Sequence, residues 1–494
     1  MDISWTEWFL VPLCAFILLV KLVKDAKAAS VPTVGPSAPI LSYWGALKFI
    51  THTRDVLEAG HAKYPGRTFR IATWRRWHYV LPTPAHIDEL SRAPEDQLSF
   101  MAAANDAFEL ERMLPTAATE NLYHLPIIRT TLTRNLARLQ GAMHEEICEA
   151  FARCVPVSDE WRAVPALDAM TRIVAQVSAR IMVGAPLCHD PELLDMLTNF
   201  TTDVATSGLI LSMVPGPLKP IVKRAVSNVD ANIYRTARVV GPAIEQRRTM
   251  MEKYGQAWPE RPNDVLQWLM EAAEGEERET RALATRLLLV GFAAIHTTSM
   301  KLTYALYRLA ANPQYVAPLR EEVEACIARD GWSKAALQKM VKVDSFLREV
   351  QRVDGLSYLL LVRKAMTDYT FADGTFIPQG SYVSTSSVAT HYDDAYYTDA
   401  TTFAPWRFVG TGGAARSQMI DTGLDYLPFG HGRHVCPGRF FAASELKTIL
   451  AHLVVTYDVR MESAGGIPPS ISIFHATVPS RIAKVVFRKR EVEE

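Results

Sequence analysis

The chain has 494 residues, 49% of them hydrophobic, and its 53 basic and 53 acidic residues cancel to a formal net charge of zero. That is enough apolar material for a large core, and the balanced charge gives no global attraction to nucleic acid. Six cysteines (14, 148, 154, 188, 326 and 436) are too few and too scattered for a disulfide framework, which fits a reducing compartment.

Trp8 to Val20 is an unbroken apolar run, extended past Lys21 by Leu22 and Val23. A membrane span needs ~20 residues, and lysine snorkelling with an interfacial Trp5 makes up the difference. Ala26-Lys27-Ala28 also resembles a signal-peptide cleavage site. Charge placement decides between the two: no Lys or Arg precedes the run, whereas Lys21, Lys24 and Lys27 follow it, so the C-terminal bulk is expected on the cytosolic side of an uncleaved anchor covering residues 1–30. Prolines 32, 36 and 39 make 31–40 an extended hinge, and 41–494 one large domain. Thr68 to Thr73 and His78 to Leu81 read as a β-hairpin. The chain then turns mostly helical up to about residue 350, with no repeat of fixed period.

Arg129 opens a helical segment after His124-Leu125-Pro126. From about Arg281 to Ala311 there is no proline, and the spacing predicts a helix roughly 45 Å long whose apolar middle is buried. Its centre reads Ala293-Ala294-Ile295-His296-Thr297-Thr298. Glu349 and Arg352 stand three apart, hence on one helical face. Leu356 to Leu361 is an apolar run that carries on toward Arg363, and a hairpin from Tyr369 to Ser387 turns at Asp373-Gly374. Phe403-Ala404-Pro405-Trp406-Arg407-Phe408 follows. The glycines of 410–415 have a dinucleotide-binding spacing but lack the apolar helix that must follow, so they read as a loop.

Residues 427–447 centre on Cys436. Gly430 and Gly432 permit a tight turn and close approach to a flat ligand, and Pro437-Gly438 precedes a helix starting near Arg439. A thiolate at that helix N-terminus meets partial positive charge and free N–H groups.

Phe429-Gly430-x-Gly432-x-His434-x-Cys436-x-Gly438 resembles the haem-binding signature of the cytochrome P450 family. The Ala293–Thr298 run resembles its oxygen-activation motif, and Glu349-x-x-Arg352 with Arg407 its buried ion network. The likeness covers essentially the whole chain after residue 30. It implies a mainly α fold with small β-sheets (α+β) and haem b on the Cys436 thiolate, without thioether links, since no C-x-x-C-H is present. It also implies NADPH–cytochrome P450 reductase as a separate electron donor, with O2 and a small lipophilic substrate, at the endoplasmic reticulum membrane. By the same likeness Arg129 and Arg363 would hold the haem propionates, with His124 as a further donor where the family has a tryptophan near Leu125, and His434 would add positive charge beside the cofactor. Phe429, Gly430 and Gly438 would shape the cofactor loop. Thr297, with His296 and Thr298, would handle protons, and Ala293, Ala294, Leu356 and Leu359 would line the substrate cavity. His296 stands where an acid is usual, and a histidine satisfied within the core is the alternative there; Arg129 could equally be a surface arginine. The His-Thr-Thr-Ser run is similar to that of fungal diterpene and indole-diterpene oxidases. Three other readings stay open: desaturation or rearrangement at the same site, oxidation of fatty acids, and a haem binder without catalysis.

Overall fold

A computed structural model describes residues 31–38, 41–74, 76–155, 158–413, 417–463 and 466–491. The expected membrane anchor lies outside these residues. The largest sheet contains β1 (Thr33–Val34), β2 (Phe69–Ala72), β3 (Trp77–Leu81), β4 (Leu98–Ser99), β5 (Leu359–Ala365) and β6 (Tyr382–Ser386), in the order β1-β2-β3-β6-β5-β4. β2 and β3 form the expected hairpin, with Phe69 opposite Val80 and Ala72 opposite Trp77. The connector at 31–40 is docked at its start, because Thr33 and Val34 pair in parallel with Arg70 and Ile71 and Val31 is buried. The 369–387 hairpin is shorter than expected: Tyr369–Thr370 pairs only with Phe376–Ile377, and the chain beyond it joins the large sheet between β3 and β5.

The helices that position the site are α1 (Thr133–Cys154), α2 (Ala166–Val183), α3 (Pro191–Met213), α4 (Thr280–Ala311), α5 (Val341–Val353) and α6 (Arg439–Thr456). α4 has 32 residues, and at ~1.5 Å per residue it crosses the whole body. Asn312 caps it and Pro313 follows, where the helix cannot continue. Leu283, Leu287, Ile295, Leu302 and Leu306 of α4 join Ile173 and Val177 of α2 and Leu197 and Phe200 of α3 in the main core. Among the described residues α4 is the one helix apolar and long enough to cross a membrane, and its burial makes it a core helix.

Burying a leucine side chain stabilises by about 1.5–3 kcal/mol, so this cluster fixes the rotation of α4 about its axis. One face of the helix is open. Ala293 and Thr297, four residues apart, are exposed in the middle of the helix while Ile295 and Thr298 are buried. The helix therefore presents one open stripe lined by small side chains.

Candidate functional site

The loop before α6 is closed by its own backbone. Cys436 N–H donates to the Phe429 carbonyl at 2.8 Å, Gly430 to Leu427 at 2.9 Å and Val435 to Gly432 at 3.2 Å. Gly430 and Gly432 have φ of 71° and 69°, which a side chain would strain. At Gly432 a Cβ would also come within 2.5 Å of the Ser91 carbonyl, so the loop lies tight against the helix Pro84–Arg92. Backbone N–H groups of Gly438 and Arg439 and the Arg439 charge favour a thiolate at Cys436. Burial outweighs them and pushes the thiol up.

The loop is joined to α4 through α6. Glu445 of α6 is fully buried, Ser178 of α2 donates to its Oε1 at 2.9 Å, and the Thr298 hydroxyl of α4 approaches the same carboxyl. Thr298, expected among the proton-handling residues, is thus a buried tie between helices; one step along α4 is ~100°, which turns it off the open stripe. Burial pushes the Glu445 carboxyl up to about 8, against the lowering effect of the two hydroxyls, so it is protonated at neutral pH. An unfolded glutamate ionises near ~4.3. The folded chain therefore holds a proton that the unfolded chain has lost, and this contribution to stability falls as pH rises from that value through about 8. Glu445→Gln should gain stability relative to the unsubstituted protein across that window in thermal melts. A gap that stays constant from pH 5 to pH 8 would refute the neutral assignment.

Thr297 points into the open stripe, with Oγ1 donating to the Ala293 carbonyl at 2.8 Å. That back-bond uses the hydroxyl hydrogen and leaves the oxygen free to accept. His296 does not share this direction. Its Nε2–H donates to the Thr198 carbonyl of α3 at 2.8 Å, so the expectation of a proton relay at His296 is replaced by a tether between α3 and α4. Only Thr297, of the three polar residues in the motif, faces the stripe.

Arg363, on β5, is 2% exposed. Its Nη1 donates to the Val362 carbonyl at 2.9 Å, its Nη2 has no hydrogen-bond partner among the described residues, and burial pulls its pKa down to about 10. An orphaned guanidinium nitrogen in the interior is costly unless an anion meets it. His434 stands near it and donates Nε2–H to Glu95 at 2.9 Å, with Phe100 5.5 Å from both the His434 ring and the Arg363 guanidinium. His124 is buried with Nδ1 3.3 Å from Arg286 Nη1. Because arginine cannot accept, Nδ1 does, and the proton sits on Nε2. Burial and the Arg286 charge hold this imidazole neutral, pulling its pKa down to about 4. Arg129 lies in a π-helical stretch, Ile127–Leu132, directly before α1; it is exposed and has no acidic partner among the described residues.

β5 carries a bulge between Leu360 and Arg363, with Leu361 at φ 54°. The register shift corrects one expectation. Leu359, 2% exposed, packs with Phe49, Leu57, Phe69 and Val80 in a separate cluster, and Leu361 is the side chain that reaches the cysteine loop, 3.8 Å from the Cβ position of Gly430. No periodicity argument finds this, since a bulge is invisible to a period-two pattern. Leu356 is partly buried against the main core.

Glu349, Arg352 and Arg407 meet. Arg352 grips Glu349 with Nε at 2.8 Å and Nη2 at 2.7 Å, Arg407 Nε approaches Oε1 at 3.1 Å, and the Ala404 N–H donates to the same oxygen at 2.9 Å. Arg352 also donates to the carbonyls of His391, Ala400 and Thr402. Farther along, Tyr426 donates to Gln351 at 2.7 Å and lies beneath the Arg348 guanidinium at 3.7 Å, so α5 pins the segment that enters the cysteine loop.

Residues 34–485 match the cytochrome P450 family. The chain belongs to that family. It is 40% identical to cytochrome P450 monooxygenase 103 of Postia placenta over 467 residues, covering 93% of both chains, and 32% identical to cytochrome P450 monooxygenase CYP512U6 of Ganoderma lucidum, covering 93% of this chain and 92% of that one. It is 31% identical to cytochrome P450 monooxygenase atmQ of Aspergillus flavus, over 94% and 89% of the two chains. Its fold is similar to that of retinoic acid bound cyanobacterial CYP120A1, at a TM-score of 0.70 and 18% identity, over 93% of this chain and 99% of that one. This P450 is therefore a haem-dependent monooxygenase with the mainly helical fold of its family. The residues present fit the cofactor: a sulfur at a helix N-terminus, a buried guanidinium whose Nη2 has no partner among the described residues, and an open stripe of small side chains on α4.

Proposed function

We propose that Cys436 would hold the iron of haem b, that Arg363, His434, His124 and Arg129 would meet its propionates, and that the Ala293–Thr297 stripe would border the space that receives O2 and substrate. The observation that carries this reading is the exposed Ala293–Thr297 stripe on a helix otherwise packed into the core, tied to the cysteine helix through Glu445. Bound haem supplies the oxygen chemistry that inserts one atom of O2 into a C–H bond, with electrons from NADPH through a separate reductase. The chain's own residues do the rest. Cys436 donates electron density to the metal. Arg363 brings a positive charge to a carboxylate and so fulfils its orphaned Nη2. Neutral His124 offers Nε2–H without titrating near neutrality. Thr297 holds a proton or water at Oγ1, exchanging its back-bond to Ala293 for one directed into the cavity.

The substrate is an apolar polycyclic terpenoid, of diterpene or indole-diterpene type, in a fungal secondary pathway. Its support is the likeness of the His296-Thr297-Thr298-Ser299 run to fungal oxidases of such compounds, together with apolar surroundings: Phe292, next to Ala293, meets Phe108 edge to face at 5.4 Å. An N-terminal anchor in the endoplasmic reticulum membrane, with the catalytic domain cytosolic, would draw such a lipophile from the bilayer.

Two measurements test this. Titrating the haem-loaded protein with diterpenes, indole-diterpenes and fatty acids should shift the Soret band to high spin with a diterpene scaffold; a shift with fatty acids alone would remove the terpenoid assignment. Thr297→Ala should leave haem content and that spectral shift unchanged while turnover falls ~100-fold, at the lower end of what proton transfer contributes. Unchanged turnover would take Thr297 out of the proton path.

A further inference from the structure

A seam of polar residues runs along the contact between α1 and α6, far from the sulfur of Cys436. At its first level Gln140 Nε2 donates to Thr448 Oγ1 and Ser444 Oγ donates to Gln140 Oε1, both at 2.9 Å, so every partner is a neutral hydrogen-bonding group. One and two turns farther along α1, at the same spacing of four, stand His144 and Cys148; one turn beyond Thr448 on α6 stands His452. At this level a thiol lies within hydrogen-bonding distance of two imidazole nitrogens, and all three atoms are of kinds that bind metals. Cys148 Sγ lies 3.5 Å from His144 Nε2 and 3.7 Å from His452 Nδ1, and the three atoms are all within 4.8 Å of one another.

Those separations have a chemical meaning. Around tetrahedral zinc, with Zn–S near ~2.3 Å and Zn–N near ~2.05 Å, a sulfur and a nitrogen ligand are about 3.6 Å apart. Residues four apart on a helix direct both side chains to one side, and the third donor arrives from the neighbouring helix. The surroundings suit a cation held by soft donors. Trp332 stacks on the His144 ring at 3.8 Å and Phe151 lies 4.9 Å from the His452 ring, which fixes both rings while leaving their edges free. His144 and Cys148 are half-buried, so the fourth position opens toward water.

A second group, Glu146, Cys188 and His189, has similar spacing, but its carboxylate already receives Gln176 and His189 and has Arg180 at 3.7 Å, so a cation occupies that place. The carboxylate-free site at Cys148 has no such competitor among the described residues.

We propose that His144, Cys148 and His452 bind one zinc ion, with water as fourth ligand, clipping α1 to the far end of α6. Binding replaces the thiol hydrogen by the Zn–S bond and releases one proton, with no change of oxidation state. His452 stands thirteen residues beyond Arg439, ~20 Å along α6 from the end that meets the cysteine loop, so the clip steadies the scaffold that presents that loop and takes no part in the haem chemistry. The site is independent of the substrate reading above.

The test uses the full-length, haem-loaded protein equilibrated with zinc buffered at about 10 nM free ion, a range in which a three-donor protein site still competes. Zinc and iron are then counted per chain by mass spectrometry. The expected result is one zinc beside one iron, with a zinc-edge absorption spectrum showing one sulfur and two imidazole nitrogens. Cys148→Ser and His452→Gln should lose the zinc and keep the iron, while Cys154→Ser on the same helix keeps both. An iron-loaded protein without zinc, zinc without a sulfur neighbour, or zinc retained by both variants would each overturn the site. If the variants fail to fold and lose iron as well, the spectrum of the unsubstituted protein decides.

Discussion

Replacing Cys436 with serine is expected to abolish monooxygenation and to loosen the cofactor. Removing an outer-shell partner of a metal ligand typically costs ~10–100-fold, and removing the ligand itself costs more. The expected loss exceeds ~100-fold in turnover, because a hydroxyl neither ionises at this helix N-terminus nor donates charge to the metal as a thiolate does. The fold should survive. The loop is closed by backbone bonds from Cys436 to Phe429, from Gly430 to Leu427 and from Val435 to Gly432, none of which uses the sulfur. Circular dichroism should therefore remain that of the unsubstituted protein while haem absorbance per chain drops. A Cys436→Ser protein that binds haem with an unchanged spectrum and turns over substrate would place the ligand elsewhere.

Glu349→Ala is expected to have the largest effect on folding. Arg352 is fully buried, and removing its carboxylate leaves one guanidinium without a counter-charge and takes an acceptor from Arg407 and from the Ala404 N–H. Breaking a buried pair on one side costs ~3–5 kcal/mol, a large share of the ~5–15 kcal/mol by which a domain is stable. The segment held at His391, Ala400 and Thr402 leads directly to the cysteine loop, so the damage should appear as loss of haem-loaded protein along with a melting transition lowered by several degrees. Glu349→Gln keeps an oxygen for Ala404 but no charge, and should fall between the two. Wild-type stability in Glu349→Ala would mean that the network is ornamental.

Much of this was legible in the sequence because local chemistry dictated it. A proline-free stretch ending at Asn312-Pro313 could only be one long helix, and Glu349 and Arg352 three apart had to share a face. The glycines at 430 and 432 announced a turn that a Cβ would obstruct. What the sequence withheld was direction within an element. Composition marked the middle of α4 as buried, and the family likeness put Ala293, His296, Thr297 and Thr298 together at one site; only the packing of Leu287, Ile295 and Leu302 decides that His296 turns to Thr198 and Thr298 to Glu445. Glu445 itself gave no signal, since a glutamate in a helix is ordinarily a surface residue. The contact of Arg286 with His124, like the seam between α1 and α6, joins residues far apart in the chain, and no spacing rule reaches it.

The central claim is that one haem would fit between the Ala293–Thr297 stripe and the Cys436 sulfur. Binding of imidazole to the haem iron, in the unsubstituted protein and in Ala293→Phe, tests it most directly. A phenyl ring on the stripe fills the open side without touching the cysteine loop. The account predicts that Ala293→Phe retains haem and its thiolate spectrum but loses imidazole binding by more than ~10-fold, the effect of about 1.4 kcal/mol of steric exclusion. Equal imidazole affinity in the two proteins, with haem content unchanged, would mean that α4 does not cover the open face, and the arrangement proposed for Thr297 would fall with it.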